Sequence, residues 1–228
     1  AQRYLHPLSR RQLQMCIRDS IYKSRHYDSD DQLYEDFRKE TGIKINVISG
    51  NGSALLERLK SEGANSPADI FFTVDAGNLW KIQKEGYFQS ISSSKALSIV
   101  PKNLRGPNNE WIAIAKRARV IFYNPDNVSN EEIKDLSYEN LADKEWRNRV
   151  VIRSSNNIYN QSLVASLIST HGIRETELWA RGLVSNFARK PQGNDRSQIM
   201  AVASGIADIA IANSYYLSLI HISEPTRR

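Results

Sequence analysis

The chain has 228 residues, 40% hydrophobic and 25% charged, an ordinary globular composition with length enough for one large core or two small lobes. Its 11 Gly and 7 Pro are too few for a fibrous or disordered chain, and no apolar run approaches the roughly 18 residues of a membrane span. The net charge of +6 is concentrated at the ends (Arg3, Arg10, Arg11 and Arg18 with Asp19; Arg227 and Arg228 with Glu224), which leaves only +2 between Ile21 and Leu217 and removes the basic patch of a nucleic-acid binder.

Residues 1–20 show neither helical nor strand periodicity and lack the apolar stretch of a signal peptide. The strings MCIRDS (15–20) and SLIHISEPTRR (218–228) resemble translated sequencing-adapter read-through. Segments 1–20 and 218–228 are therefore expected to be artefactual and are set aside. The only cysteine, Cys16, goes with the first of them.

From there, residues 21–23 form the stub of a strand that runs into Ser24-Arg25-His26-Tyr27. Asp28 or Ser29 is expected to cap a helix reaching Lys39, with Leu33, Tyr34 and Phe37 on one face and Gly42 past its end. Residues 43–48 alternate as a strand, Gly50-Asn51-Gly52 breaks the chain, and Ser53 is expected to cap a helix carrying Leu55, Leu56 and Leu59. Residues 68–72 are a short buried strand and 77–84 a helix. This β-α-β-α-β-α order predicts a parallel, doubly wound sheet. Two strands are expected at 111–115 and 119–123, the second stopped by Asn124-Pro125. A further α/β unit follows, with a strand at 150–152, helices near 158–170, 175–186 and 195–204, and a closing strand at 208–212. The reading is two α/β lobes, 21–115 and 116–217, joined near residues 113–121.

Few motifs carry chemistry. Gly50-Asn51-Gly52-Ser53 lacks the third glycine of a dinucleotide loop and the Lys of a P-loop, so a tight turn is the better reading. No nucleophile elbow or zinc spacing occurs, and His171 before Gly172 fits a helix C-terminus. Three strand ends remain: His26-Tyr27 after the first strand, Tyr159 after the strand at 150–152, and Tyr215-Tyr216 after the last. Ligands of α/β proteins bind at such ends. Spacing alone leaves packed interface aromatics equally open.

Three motifs resolve the choice: Ser24-Arg25-His26-Tyr27-Asp28, the run Pro-Ala-Asp-Ile-Phe-Phe-Thr at 67–73, and Asn213-Ser214-Tyr215-Tyr216-Leu217. With them the chain resembles the periplasmic ferric-iron-binding proteins of ABC transporters, above all the cyanobacterial Fut type, over essentially all of 21–217. The resemblance implies an α/β type II periplasmic-binding-protein clamshell, two lobes linked by hinge strands, with Fe³⁺ between them. It implies His26, Tyr27, Tyr159, Tyr215 and Tyr216 as metal ligands and Arg119 as a nearby cation outside the ligand set. Other members place a glutamate after the Phe-x-Thr strand, where this chain has Val74. A C-terminal continuation completing the first lobe is also implied, and the adapter-like tail stands in its place. The function implied is that of a periplasmic, monomeric carrier delivering Fe³⁺ to a membrane permease, without enzymatic activity, nucleic acid or membrane insertion. A segment 21–217 without cysteine fits such an exported protein.

The donor chemistry agrees. Fe³⁺ is a hard cation served by anionic oxygen. Phenols titrate near 10 in isolation, so binding must expel their protons. Three phenolates neutralise the ion, and a fourth leaves an excess charge that Arg119 would offset. The competing readings are the same clamshell holding a polyamine, thiamine or an oxyanion, the effector domain of a transcription regulator, and a non-haem iron enzyme. The missing helix-turn-helix counts against the second, and the lack of a facial triad against the third.

Overall fold

The computed structural model describes residues 18–25 and 27–216, and the chain divides into two units between Ile112 and Ala113. In the first unit the elements run β1 (Arg18–Lys23), α1 (Ser29–Thr41), β2 (Lys44–Ser49), α2 (Gly52–Glu62), β3 (Ile70–Phe72), α3 (Ala76–Lys84) and α4 (Ser94–Ile99). The strands form a wholly parallel sheet, as the alternating pattern predicts, and their order is β2-β1-β3. Ile21, Tyr22, Leu55, Leu59 and Ile82 are its buried apolar residues.

Several local expectations are corrected. The first strand is no stub: Arg18, Asp19 and Ser20 extend it, paired with Lys44, Ile45 and Asn46. The Ser20 N–H also donates to Asp69 Oδ2 at 2.8 Å. These three residues have no apolar alternation, so pairing with β2, not local pattern, makes them a strand. Helix α2 is capped by Asn51, whose side chain accepts the Ser53 N–H at 2.9 Å, and Asp28 makes no side-chain cap to α1. Gly42 ends α1 in the left-handed region, φ 75°. No strand forms at 111–115; only Ile112 bridges Arg105, and the Trp111 indole instead donates to Gln83 Oε1 at 2.9 Å. Helix α4 was not foreseen, although Ser93 caps it through the Ala96 N–H.

The second unit contains β4 (Arg119–Tyr123), α5 (Asn130–Ile133), β5 (Val150–Val151), α6 (Ile158–His171), α7 (Ile173–Ser185), α8 (Asp195–Ala203) and β6 (Ile209–Asn213). Its sheet order is β4-β6-β5, with β4 antiparallel and β5 parallel to β6. All five residues of β6 are buried, because both faces of the sheet are covered. On one face Val150, Ile209 and Ile211 pack with Leu141, Trp146 and Leu183. On the other, Val151 and Ala210 meet Ala201, Val202 and Ala207, small side chains that let α8 lie close to the sheet. Helix α7 approaches as tightly: a Cβ on Gly182 would sit 2.7 Å from the Ala142 carbonyl oxygen. His171 pairs with Glu139 at 2.8 Å, while the Gly172 N–H caps the Ile168 carbonyl.

One carboxylate in each unit is held well below the ordinary range, at about 2. Glu62 is lowered by the hydroxyl of buried Tyr22, then by Arg58; Glu132 by the Ser129 N–H, then by Arg149. A depressed pKa stabilises the fold above the unfolded value of 4.5, and that contribution disappears as pH falls toward 2. Acid melts should therefore lose stability across this window, and Glu132→Gln should flatten the loss in the second unit. A Glu132→Gln melt with the wild-type acid slope would contradict it.

Candidate metal centre

In the first unit, β1 ends where the chain turns into α1, and Asp30 fixes that turn. Asp30 is buried and paired with Lys23 at 3.2 Å and with the Arg25 guanidinium through bonds of 2.9 and 3.0 Å. The guanidinium lies 4.5 Å from the Tyr27 ring centroid and 4.3 Å from that of Phe72, so it packs against both aromatic faces. Tyr27 is half-buried beside it. His26 falls outside the described residues. At the neighbouring end of β3, Thr73 bonds Ser24 at 2.6 Å, and the Val74 carbonyl accepts from Asn78.

The second unit places the other three tyrosines. Tyr159 is the second residue of α6, its N–H capped by Asn157 at 3.0 Å. Three guanidinium groups surround its ring: Arg117 at 4.2 Å, Arg153 at 5.5 Å and Arg119 at 5.9 Å from the centroid. Tyr215 and Tyr216 lie in a single 3-10 turn, Ser214–Tyr216, immediately after β6. Their ring centroids are 4.4 Å apart and inclined at 35°, and both side chains are half-buried. The Ser214 N–H ties the turn to the Ala118 carbonyl at 2.9 Å.

Arg119 is neither exposed nor unpaired. Its Nη1 donates to Asp195 Oδ2 at 2.9 Å and to Asn213 Oδ1 at 3.2 Å, and its Nη2 to Asn160 Oδ1 at 2.6 Å. Its guanidinium, 5.9 Å from the Tyr159 ring centroid, thus has a carboxylate already beside it. Arg117, Arg153, Asn160 and Asp195 were missed from the sequence. The pair Asn194-Asp195 looks like an ordinary helix start, and nothing in spacing joins it to residues 119 and 153. Among the described residues, no group of three or more His, Cys, Asp and Glu gathers to hold a metal ion. The hard donors at these strand ends are phenolic.

The mixed α/β architecture is that of the type II periplasmic binding proteins. The chain belongs to the bacterial extracellular solute-binding protein family, whose pattern matches residues 65–222. It is 52% identical over 210 residues to iron uptake protein A1 of Synechocystis, covering 92% of this chain and 58% of that protein. Among solved structures it resembles Trichodesmium FutA in complex with iron and citrate, at 54% identity and a TM-score of 0.83, over 92% of this chain and 65% of that one. The Campylobacter jejuni ferric binding protein matches at 40% identity and a TM-score of 0.84, over 91% and 65%. The chain spans little more than half the length of the curated Synechocystis relatives it matches, 58% and 55%.

Proposed function

We propose that this chain is the ferric-iron-binding part of a periplasmic solute-binding protein that hands Fe³⁺ to the membrane permease of an ABC transporter. The observation that carries the reading is the tandem Tyr215–Tyr216 turn at the end of a fully buried strand. It presents two adjacent phenols on a rigid support, in a unit where Tyr159 stands among arginines. Tyr27, and His26 beside it in sequence, would complete the ligand set from the first unit. The names of the relatives, an iron uptake protein and two iron-binding structures, support the same cargo. Phenolates satisfy the preference of Fe³⁺ for anionic oxygen and perform no bond-breaking chemistry on it, which suits binding and release.

Each phenol that binds iron as a phenolate gives up a proton, so affinity must fall as pH falls. Ferric titration of the chain should produce a visible phenolate-to-iron charge-transfer band. Competition against citrate should show affinity declining steadily from about pH 8 to about pH 6. A colourless ferric complex, or an affinity flat across that interval, would sink phenolate ligation.

A further inference from the structure

We infer that Asp195 is a positioning residue for the ferric site, a single buried carboxylate that holds together the elements bearing Tyr159 and the Tyr215–Tyr216 pair. The inference rests on the ferric reading above and concerns how its ligands are held. Asp195 opens α8 with a side chain of 0% exposure. A favourable charge at a helix start needs no burial. A carboxylate taken fully out of water is tolerated only when its lone pairs are matched, so its partners define its role.

Those partners come from both elements. Asp195 Oδ2 accepts the Asn213 N–H at 3.0 Å, and Asn213 is the last residue of β6 before the Ser214–Tyr216 turn. The same oxygen accepts Arg119 Nη1 at 2.9 Å, and Oδ1 accepts Arg153 Nη1 at 3.3 Å. Both guanidiniums face the Tyr159 ring. Asn160, the next residue of α6, closes the circuit: it accepts from Arg119 Nη2 at 2.6 Å and donates to the Arg153 carbonyl at 2.7 Å. A shift of this carboxylate therefore moves the tandem turn through a backbone bond and the surroundings of Tyr159 through two side chains. Loss of a group that orients metal ligands in this way typically costs about 10- to 100-fold in affinity.

The test is ferric titration of the full chain, followed by the charge-transfer band and by citrate competition, with thermal melts alongside. Asp195→Asn should weaken ferric binding about 10- to 100-fold and displace the band maximum. The double variant Asp195→Asn with Arg153→Met, which preserves net charge, should do the same, and it decides alone if the single variant does not melt cooperatively. Asn186→Ala is the control: Asn186 is buried and bonds the Leu141 and Asp143 carbonyls, away from the tyrosines, so it should lower Tm without moving the band. A folded Asp195 variant with wild-type band and affinity would overturn the inference while leaving the ferric reading intact. A wild-type chain that takes up no ferric iron would overturn both.

Discussion

Tyr215→Phe and Tyr216→Phe are each expected to abolish most of the ferric charge-transfer absorbance and to weaken binding by at least about 100-fold, close to 2.7 kcal/mol. Each change removes one phenolic oxygen and leaves the ring in place. The two rings pack on one another at 4.4 Å, and phenylalanine preserves that contact, so the melt should barely move. A loss of colour and affinity without a fall in Tm is then the mark of a lost ligand. Tyr123→Phe supplies the comparison, since Tyr123 lies exposed at the end of β4 and should keep both colour and affinity. If the Tyr215 and Tyr216 variants bind as the wild type does, iron sits elsewhere.

Trp146→Ala acts by another route and should cost about 3–5 kcal/mol of stability in the second unit. The indole is 1% exposed and packs with Leu141, Val150, Leu183, Ile209 and Ile211 in the core behind β6. No neighbour among the described residues accepts its Nε1–H. Trp146→Phe deletes an unpaired donor while retaining an aromatic ring, so it should cost distinctly less than the alanine change. In a unit of this size the alanine variant should melt well over about 10 °C lower. It should lose iron only as it unfolds, with an unshifted band in whatever fraction remains folded. Equal melts for wild type and Trp146→Ala would refute the core as described.

What could be read from the chain alone depended on whether the signal was local. Residues 44–49 and 209–213 announce strands through their own side chains, and Gly42 marks a helix end through its backbone freedom. The phenols at positions 27, 159, 215 and 216 follow strands in the sequence, so spacing lists them as candidate donors, and the family resemblance is what favours them over packed aromatics. Arg18, Asp19 and Ser20 become strand only because Lys44, Ile45 and Asn46 lie alongside, which no pattern within 18–20 reveals. Trp111 alternates like a strand residue, yet its indole finds Gln83, far away in sequence. The same blindness hid Asp195: its partners at 119, 153 and 213 come from three separate stretches of chain.

The close seat of α8 on the sheet has a consequence for how this protein can vary. Asp195 reaches Asn213 and both arginines because the helix behind it rests on small side chains, Ala201 and Val202 against Ala207 and Ala210. An added methylene there has no empty space to enter and must lift the helix. Outward positions on the same helix, such as Arg196 and Met200, are exposed and free to drift. Substitutions far from any phenol, among the plainest residues of the unit, should therefore alter iron affinity more than changes to the charged surface of the same helix. A survey of natural variants would find the alanines guarded and the solvent side permissive.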